Sequence, residues 1–327
     1  MRKHFFIGLI ISAVCLYFAF RGLSPREIGH ALQQANPGWL LVALAVYSGS
    51  FFLRVIRWSH LMRSVKSVPA GQLFAPLIIG FFANNLLPFR MGELIRAHVT
   101  GKKLGISRTA ALGTVILERI CDALSFLVIF LTVAFFFPFP EAIRRAAGVM
   151  GAGCILAIGF LGAASKFQSR TRELVSRLPL SPAVRDKVQH LLANFTHGVS
   201  GLTHGPALAW ALPLSLGIWL IEGSMVYLII RSFPVHISYP EAFFVLFFLG
   251  LSVTLPQAPG YVGTVELFGV TALSLLGIPK ESGLPMILTI HGMQFGLIFT
   301  LGLISTWKEG MTLGSLFKNP VDNPPDR

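Results

Sequence analysis

"LFAPLIIGFFANNLLPFRMGELIR", residues 73–96, starts as a stretch suited to the interior of a bilayer and ends in proline, arginine, glycine and glutamate. Pro88 removes a backbone donor and ends a helix; Gly92 permits close backbone approach. Arg90, Glu93 and Arg96 then follow with no intervening polar loop. Irregular backbone at membrane depth is tolerated only where protein or water surrounds it. A break of this kind frees N–H groups, and an arginine beside them can grip an anionic oxygen bidentately.

The composition requires a membrane setting for that reading. Of 327 residues, 54% are hydrophobic and 13% charged, with a mean hydropathy of +0.69. A soluble domain carries about 25% charged residues. Segments of about ten alternating residues, the mark of a transmembrane barrel, are absent. The formal charge of +13 would suggest nucleic acid in a soluble protein. In a membrane protein it belongs to inner-side loops and anionic headgroups, and no nucleic-acid partner is expected. Cys15, Cys121 and Cys154 all lie in apolar runs without metal or CxxC spacing, which suits small buried hydrophobes. The N-terminus resembles a signal peptide, but no small-residue cleavage site follows, so an uncleaved first span is expected.

Apolar segments near spanning length fall at 5–20, 37–53, 109–137, 146–164, 207–230 and 285–306. Two others are interrupted: 72–88, ending in the quoted stretch, and 241–276, broken by "TLPQAPGYVGTVE" (254–266). Pro256, Pro259, Gly260 and Gly263 cannot all sit in one regular helix. The expected fold is therefore an all-α polytopic membrane protein, with about six full transmembrane helices and two re-entrant broken hairpins. With both termini cytoplasmic, 20 of the 27 Lys and Arg lie inside, six outside and Arg119 within a span, as the positive-inside rule requires. The inner count includes Arg54 and Arg57. Residues 165–205 form the one sizeable loop, with two short amphipathic helices expected. The domain is taken as 1–310, followed by a polar cytoplasmic tail, 311–327.

The broken regions resemble each other. "ANNLLPFRMGELI" (83–95) and "SVTLPQAPGYVGTVEL" (252–267) share an LP step, a glycine and a glutamate in that order. Downstream, "LGISRTAALGTVILERICD" (104–122) aligns without gaps with "LGIPKESGLPMILTIHGMQ" (276–294), placing Arg119 on His291 and Asp122 on Gln294. Three crossings between the copies make the second one inverted, a plan used by secondary transporters.

Charges occur inside the spans. Glu118, Arg119 and Asp122 share one segment; the carboxylates, four apart, lie on one face, and Arg119 can pair with Asp122. Each charge facing lipid would cost at least about 2.5–3.5 kcal/mol. The trio must therefore face protein or a wet cavity, either as a structural ion pair or as a proton relay or headgroup contact. Glu222 has no cation on its own helix and needs a partner elsewhere, a proton or water. His291 shares a face with Gln294. No P-loop, GxSxG, HExxH or His/Cys metal spacing occurs, so neither cofactor, metal nor catalytic residue is assigned.

"LPFRMGELIR" (87–96), "ERICD" (118–122) and "PQAPGYVGTVE" (256–266), with "RVIRW" (54–58), resemble the lysylphosphatidylglycerol synthase transmembrane region, or flippase-like domain family, over roughly 5–310. The resemblance implies a helical membrane fold with re-entrant elements, associated in multiple peptide resistance factors with moving aminoacylated phosphatidylglycerol between leaflets. It places Arg90, Glu93, Arg96, Glu118, Arg119, Asp122, Pro256, Pro259, Gly260, Gly263 and Glu266 at family motif positions. No aminoacyl-transferase domain is expected in this chain, so lysyl transfer is not. The expectation is a bacterial inner-membrane protein that translocates an anionic phospholipid or lipid-linked substrate. Its headgroup site would draw on Arg90, Glu93, Arg96, Glu118, Arg119, Asp122, Glu222, Glu266 and His291. The backbone breaks would lie at Pro88, Gly92, Pro256, Pro259, Gly260 and Gly263. The alternatives are an intramembrane enzyme or subunit of lipid or polyprenyl-linked glycan synthesis, or a non-transporting scaffold for such an enzyme.

Overall fold

A computed structural model of the protein describes residues 2–87, 91–137, 181–199, 205–255 and 258–312, with isolated positions between 141 and 176 and at 314. Pro88, Arg90 and Pro256 lie outside the described residues, as do most of the expected span 146–164 and most of the tail.

The chain is an all-α membrane protein. Helix α1 (Arg2–Phe20) turns at Gly22 into α2 (Pro25–Gln33). The two are bent by 74°. The sequence reading did not separate α2, yet its start is written in "SPREI". Ser24 accepts from the Glu27 N–H at 3.2 Å and the Glu27 carboxylate accepts from the Ser24 N–H at 2.9 Å, a capping box with proline in the first turn. Helix α3 (Pro37–Met62) is capped by Asn36, whose side chain accepts from the Gly38 N–H at 2.9 Å. Helices α4 (Ala70–Leu86) and α5 (Gly92–Leu104) flank the first break, and α6 (Arg108–Phe136) follows. Helix α7 (Pro182–Val199) precedes α8 (Gly205–Arg231). Helix α9 (Tyr239–Ser252), a short turn at Pro259–Tyr261 and α10 (Thr264–Leu275) flank the second break, and α11 (Lys280–Lys308) closes the order.

Among the described residues, three helices are long and apolar enough to cross a bilayer: α3, residues 209–231 of α8, and α11. The bent α1–α2 pair makes four if it is one span. Helix α6, with 29 residues, has the length but carries Glu118, Arg119 and Asp122 through its middle. Exposed apolar side chains such as Ile10, Leu41, Phe52 and Leu131 are solvated by lipid rather than water, so they need no cover.

One expectation changes. The span 37–53 does not stop at 53: α3 runs on to Met62, adding about 13 Å at 1.5 Å per residue. Arg54 and Arg57, assigned to an inner loop, are thus helical residues, and Arg57 is fully buried. Of the long loop, residues 181–199 are described and carry an 18-residue helix, α7, packed against α6; most of 165–180, where the other helix is expected, lies outside the described residues.

Helices α3 and α8 form the most extensive pair, with Phe51, Val55 and Trp58 of one in the same core as Met225, Val226 and Ile229 of the other. Helices α4 and α5 cross at backbone contact. A β-carbon on Gly92 would lie 2.0 Å from the Gly80 carbonyl oxygen, so only glycine fits there. At the second break Gly263 has φ of +95° and presses against Ser12 of α1. The Pro259–Tyr261 turn packs on α4. The second break thus packs against the helix that leads into the first.

Candidate functional site: a buried arginine–carboxylate network

Glu118 is the hub, and it is fully buried. Arg96, from the second turn of α5, donates to both of its oxygens at 2.8 Å. Arg119 donates to Oε1 at 2.5 Å and lies 3.1 Å from Asp122 Oδ2. Arg57 of α3 lies 3.2 Å from Glu118 Oε1, pairs with Asp122 and donates to Ser215 Oγ of α8 at 2.7 Å. Four helices thus converge on two carboxylates. The Arg96 guanidinium also stacks over Trp58, 3.5 Å from the ring centre. Trp58 in turn donates to Thr114 Oγ1 at 3.0 Å. The arginine is held in one orientation by the carboxylate at its end and the ring on its face.

Three arginines meet two carboxylates here, and Glu93, across the cleft, lies within electrostatic reach of Arg119. Arg57 and Arg96 are sealed in, whereas Arg119 keeps 31% of its side chain exposed. Arg119, Arg96, Glu93, Asn84 and Gly92 line a cleft between α4, α5 and α6 that has space for about one water molecule. Asn84 holds the first break together: its Oδ1 accepts from the Gly92 N–H at 2.8 Å and its Nδ2 donates to Glu93 at 3.3 Å. The backbone donor at the start of α5 is thereby satisfied from α4.

Two smaller clusters lie apart from this one. Glu222 of α8 pairs with Arg54 of α3 at 2.7 Å and accepts from Gln294 of α11 at 3.3 Å. Its missing cation thus comes from a neighbouring helix. Glu266 of α10 meets His291 Nδ1 at 2.6 Å and accepts from the Gly263 N–H at 2.6 Å; His291 Nε2 meets the Gly260 carbonyl at 2.8 Å. Among the described residues, no three His, Cys, Asp or Glu side chains are placed to hold a metal ion.

The structure joins Arg96, Glu118, Arg119 and Asp122, with Glu93 across the cleft, and separates Glu222 and the Glu266–His291 pair from them. Arg90, Pro88 and Pro256 lie outside the described residues, so any contact between Arg90 and Glu93 is not described. Sequence reasoning missed Arg54 and Arg57. A signal for them existed: the intramembrane candidates comprised five carboxylates and three arginines, and the shortfall of cations pointed to "RVIRW", where two arginines three apart share a face.

The family model of the lysylphosphatidylglycerol synthase transmembrane region matches residues 5–302, nearly the whole chain. The chain belongs to this family. A UPF0104 membrane protein of Methanothermobacter thermautotrophicus is 26% identical over 332 residues, 91% of this chain and 93% of its own. A UPF0104 membrane protein of Methanocaldococcus jannaschii is 25% identical over 230 residues, 68% of this chain and 92% of its own. The glycosyltransferase AglD of Haloferax volcanii is 23% identical over 321 residues, 88% of this chain and 51% of that protein. The family's transmembrane region thus occurs both as nearly a whole protein and as about half of a larger one.

Proposed function

We propose that this membrane protein binds an anionic phospholipid or lipid-linked substrate and moves it between leaflets, as a flippase rather than an enzyme. One observation carries the reading: of three arginines gathered in a buried cluster, the one accessible member, Arg119, opens on a cleft at a backbone break. An ion pair serving only to lock helices is as well served by apolar packing, and needs no member open to a cleft. A guanidinium in such a place can bind a phosphate bidentately. The cleft in this conformation is too small for a headgroup, so entry requires α4 and α5 to part from α6. The packing of the second break on α4 supports two inverted, re-entrant halves meeting at the site. Both termini are assigned to the cytoplasmic face of an inner membrane, from the distribution of Lys and Arg.

The test uses purified protein in liposomes containing fluorescent phosphatidylglycerol or a polyprenyl phosphate. The wild type should accelerate exchange between leaflets, Arg119→Ala should reduce it at least tenfold, and Arg119→Lys should retain part of it. Exchange equal in wild type and Arg119→Ala sinks the proposal.

A second reading, as the membrane subunit of polyprenyl-linked glycan synthesis, is favoured by the match to half of a protein named as a glycosyltransferase. It requires co-purification with such an enzyme and no leaflet exchange by the isolated chain.

A further inference from the structure

The Glu266–His291 contact has a proton requirement. Nε2 of His291 lies 2.8 Å from the Gly260 carbonyl, which can only accept, so Nε2 carries a proton. Nδ1 lies 2.6 Å from Glu266 Oε1, while Glu266 Oε2 is engaged by the Gly263 N–H at 2.6 Å. A neutral imidazole protonated on Nε2 would turn its Nδ1 lone pair onto an ionised carboxylate. That arrangement is repulsive at this distance. The contact forms only when the pair holds one proton more, as imidazolium with carboxylate or as imidazole with carboxylic acid. Both forms contain the same number of protons.

What the proton holds is the second backbone break. His291 sits on α11, Glu266 on α10 and Gly260 in the turn between α9 and α10. His291 therefore ties the turn to α11 through one nitrogen and to α10 through the other. The neighbours leave that proton to the pair. Helix α4 has no titratable side chain, and α10 has none but Glu266. Helix α1 brings the Ser12 hydroxyl, which accepts from the Ala258 N–H at 2.9 Å; it carries Cys15 and Tyr17 further along, and Arg2, Lys3 and His4 in its first turn, eight or more positions before Ser12. The turn carries Tyr261. Helix α9 carries Tyr239 and Glu241 at its far, capped end. On α11 the nearest charged residues are Glu281, 10 positions before, and Lys308, 17 positions after, about 15 Å and 25 Å along the axis. Arg26, Glu27 and His30 of α2, which also packs on α11, are exposed. One turn beyond His291, Gln294 leads to the Arg54–Glu222 pair, which is internally neutral.

We propose that Glu266 and His291 form a one-proton binding site that latches the Pro259–Tyr261 turn closed, so that release of the proton to water frees the turn. The balance is one proton lost from the pair, leaving imidazole and carboxylate, with no other bond broken. The latch does not rest on the transport reading: a turn opened by pH in a protein that moves no lipid would sink that reading and leave this one standing.

The test is hydrogen exchange of residues 258–267 in lipid nanodiscs between about pH 5 and pH 9. Protection is corrected for the intrinsic base catalysis of exchange. Wild-type protection should fall about tenfold per pH unit above a midpoint, the signature of one linked proton. Glu266→Gln should abolish the dependence and stay protected, because an amide N–H can donate to Nδ1 while its oxygen accepts from Gly263. Protection in the wild type that does not change with pH overturns the latch, as does a Glu266→Gln variant that follows the wild-type curve. Should that variant fail to fold, 15N-histidine spectra of the wild type decide, with His291 assigned through His291→Asn. A closed turn with Nδ1 bare of any proton donor at every pH rejects the proposal; a proton lost from the pair as the turn opens supports it.

Discussion

Replacing Arg57 with methionine removes a fully buried guanidinium that reaches Asp122, Glu118 and Ser215. The remaining arginines, Arg96 and Arg119, still match Glu118 and Asp122 one for one, so neither carboxylate is left without a cation. What is lost is geometric. Asp122 keeps only Arg119, at 3.1 Å, whereas Glu118 keeps both bonds from Arg96. Breaking a buried ion pair from one side costs about 3–5 kcal/mol. The surviving contacts of Glu118 place Arg57→Met near the low end, about 3 kcal/mol. Asp122→Leu should cost a similar amount, because it leaves the buried Arg57 with only Glu118, shared with two other arginines, and Ser215. The double variant should cost less than the sum by about 0.5–3 kcal/mol, since each substitution removes the other's penalty. Equilibrium unfolding in mixed detergent micelles, read by loss of helical signal, measures all four corners of the cycle. The reasoning is refuted if Arg57→Met costs under about 1 kcal/mol, or if the two single effects simply add.

Other outcomes can be checked by the same means. Arg54→Gln should destabilise by about 3 kcal/mol by stranding Glu222, and adding Glu222→Gln should recover much of the loss. Gly92→Ala should cost about 3 kcal/mol or more, because its β-carbon meets the Gly80 carbonyl at 2.0 Å. Gly49→Ala, in a helix with nothing within 4 Å, should be stabilising by about 0.4–1 kcal/mol. Lys103→Ala, which removes a partly exposed pair with Glu309, should shift stability by less than about 1 kcal/mol, and by less still in high salt. Cys121, 1% exposed, should resist maleimide in the folded protein and react on unfolding, as followed by mass.

Composition and apolar run length were enough to establish a helical membrane protein, because a bilayer admits only backbone that satisfies its own hydrogen bonds. Local chemistry was equally legible: the prolines and glycines of 87–92 and 256–263 mark breaks, and "ERICD" announces charges that lipid would not tolerate. Helix α2 was legible too, in its capping box, but lay hidden behind a hydropathy-based division of the chain. Hydropathy also failed at the end of α3. A window ends a span where arginines begin, yet a helix continues through arginines whose charge is matched from a neighbour.

That matching is a tertiary property. Nothing within α3 says that Arg57 meets Asp122 and Glu118, 65 and 61 positions away, or that Arg54 meets Glu222, 168 positions away. The apolar context of their segments is enough to mark Glu118, Asp122 and Glu222 as charges that must be buried. Which cation neutralises which carboxylate, and which arginine is left facing a cleft, depends on how α3, α5, α6 and α8 cross. An electrostatic contact falls off over a few ångströms, and only packing brings groups from four helices within that distance.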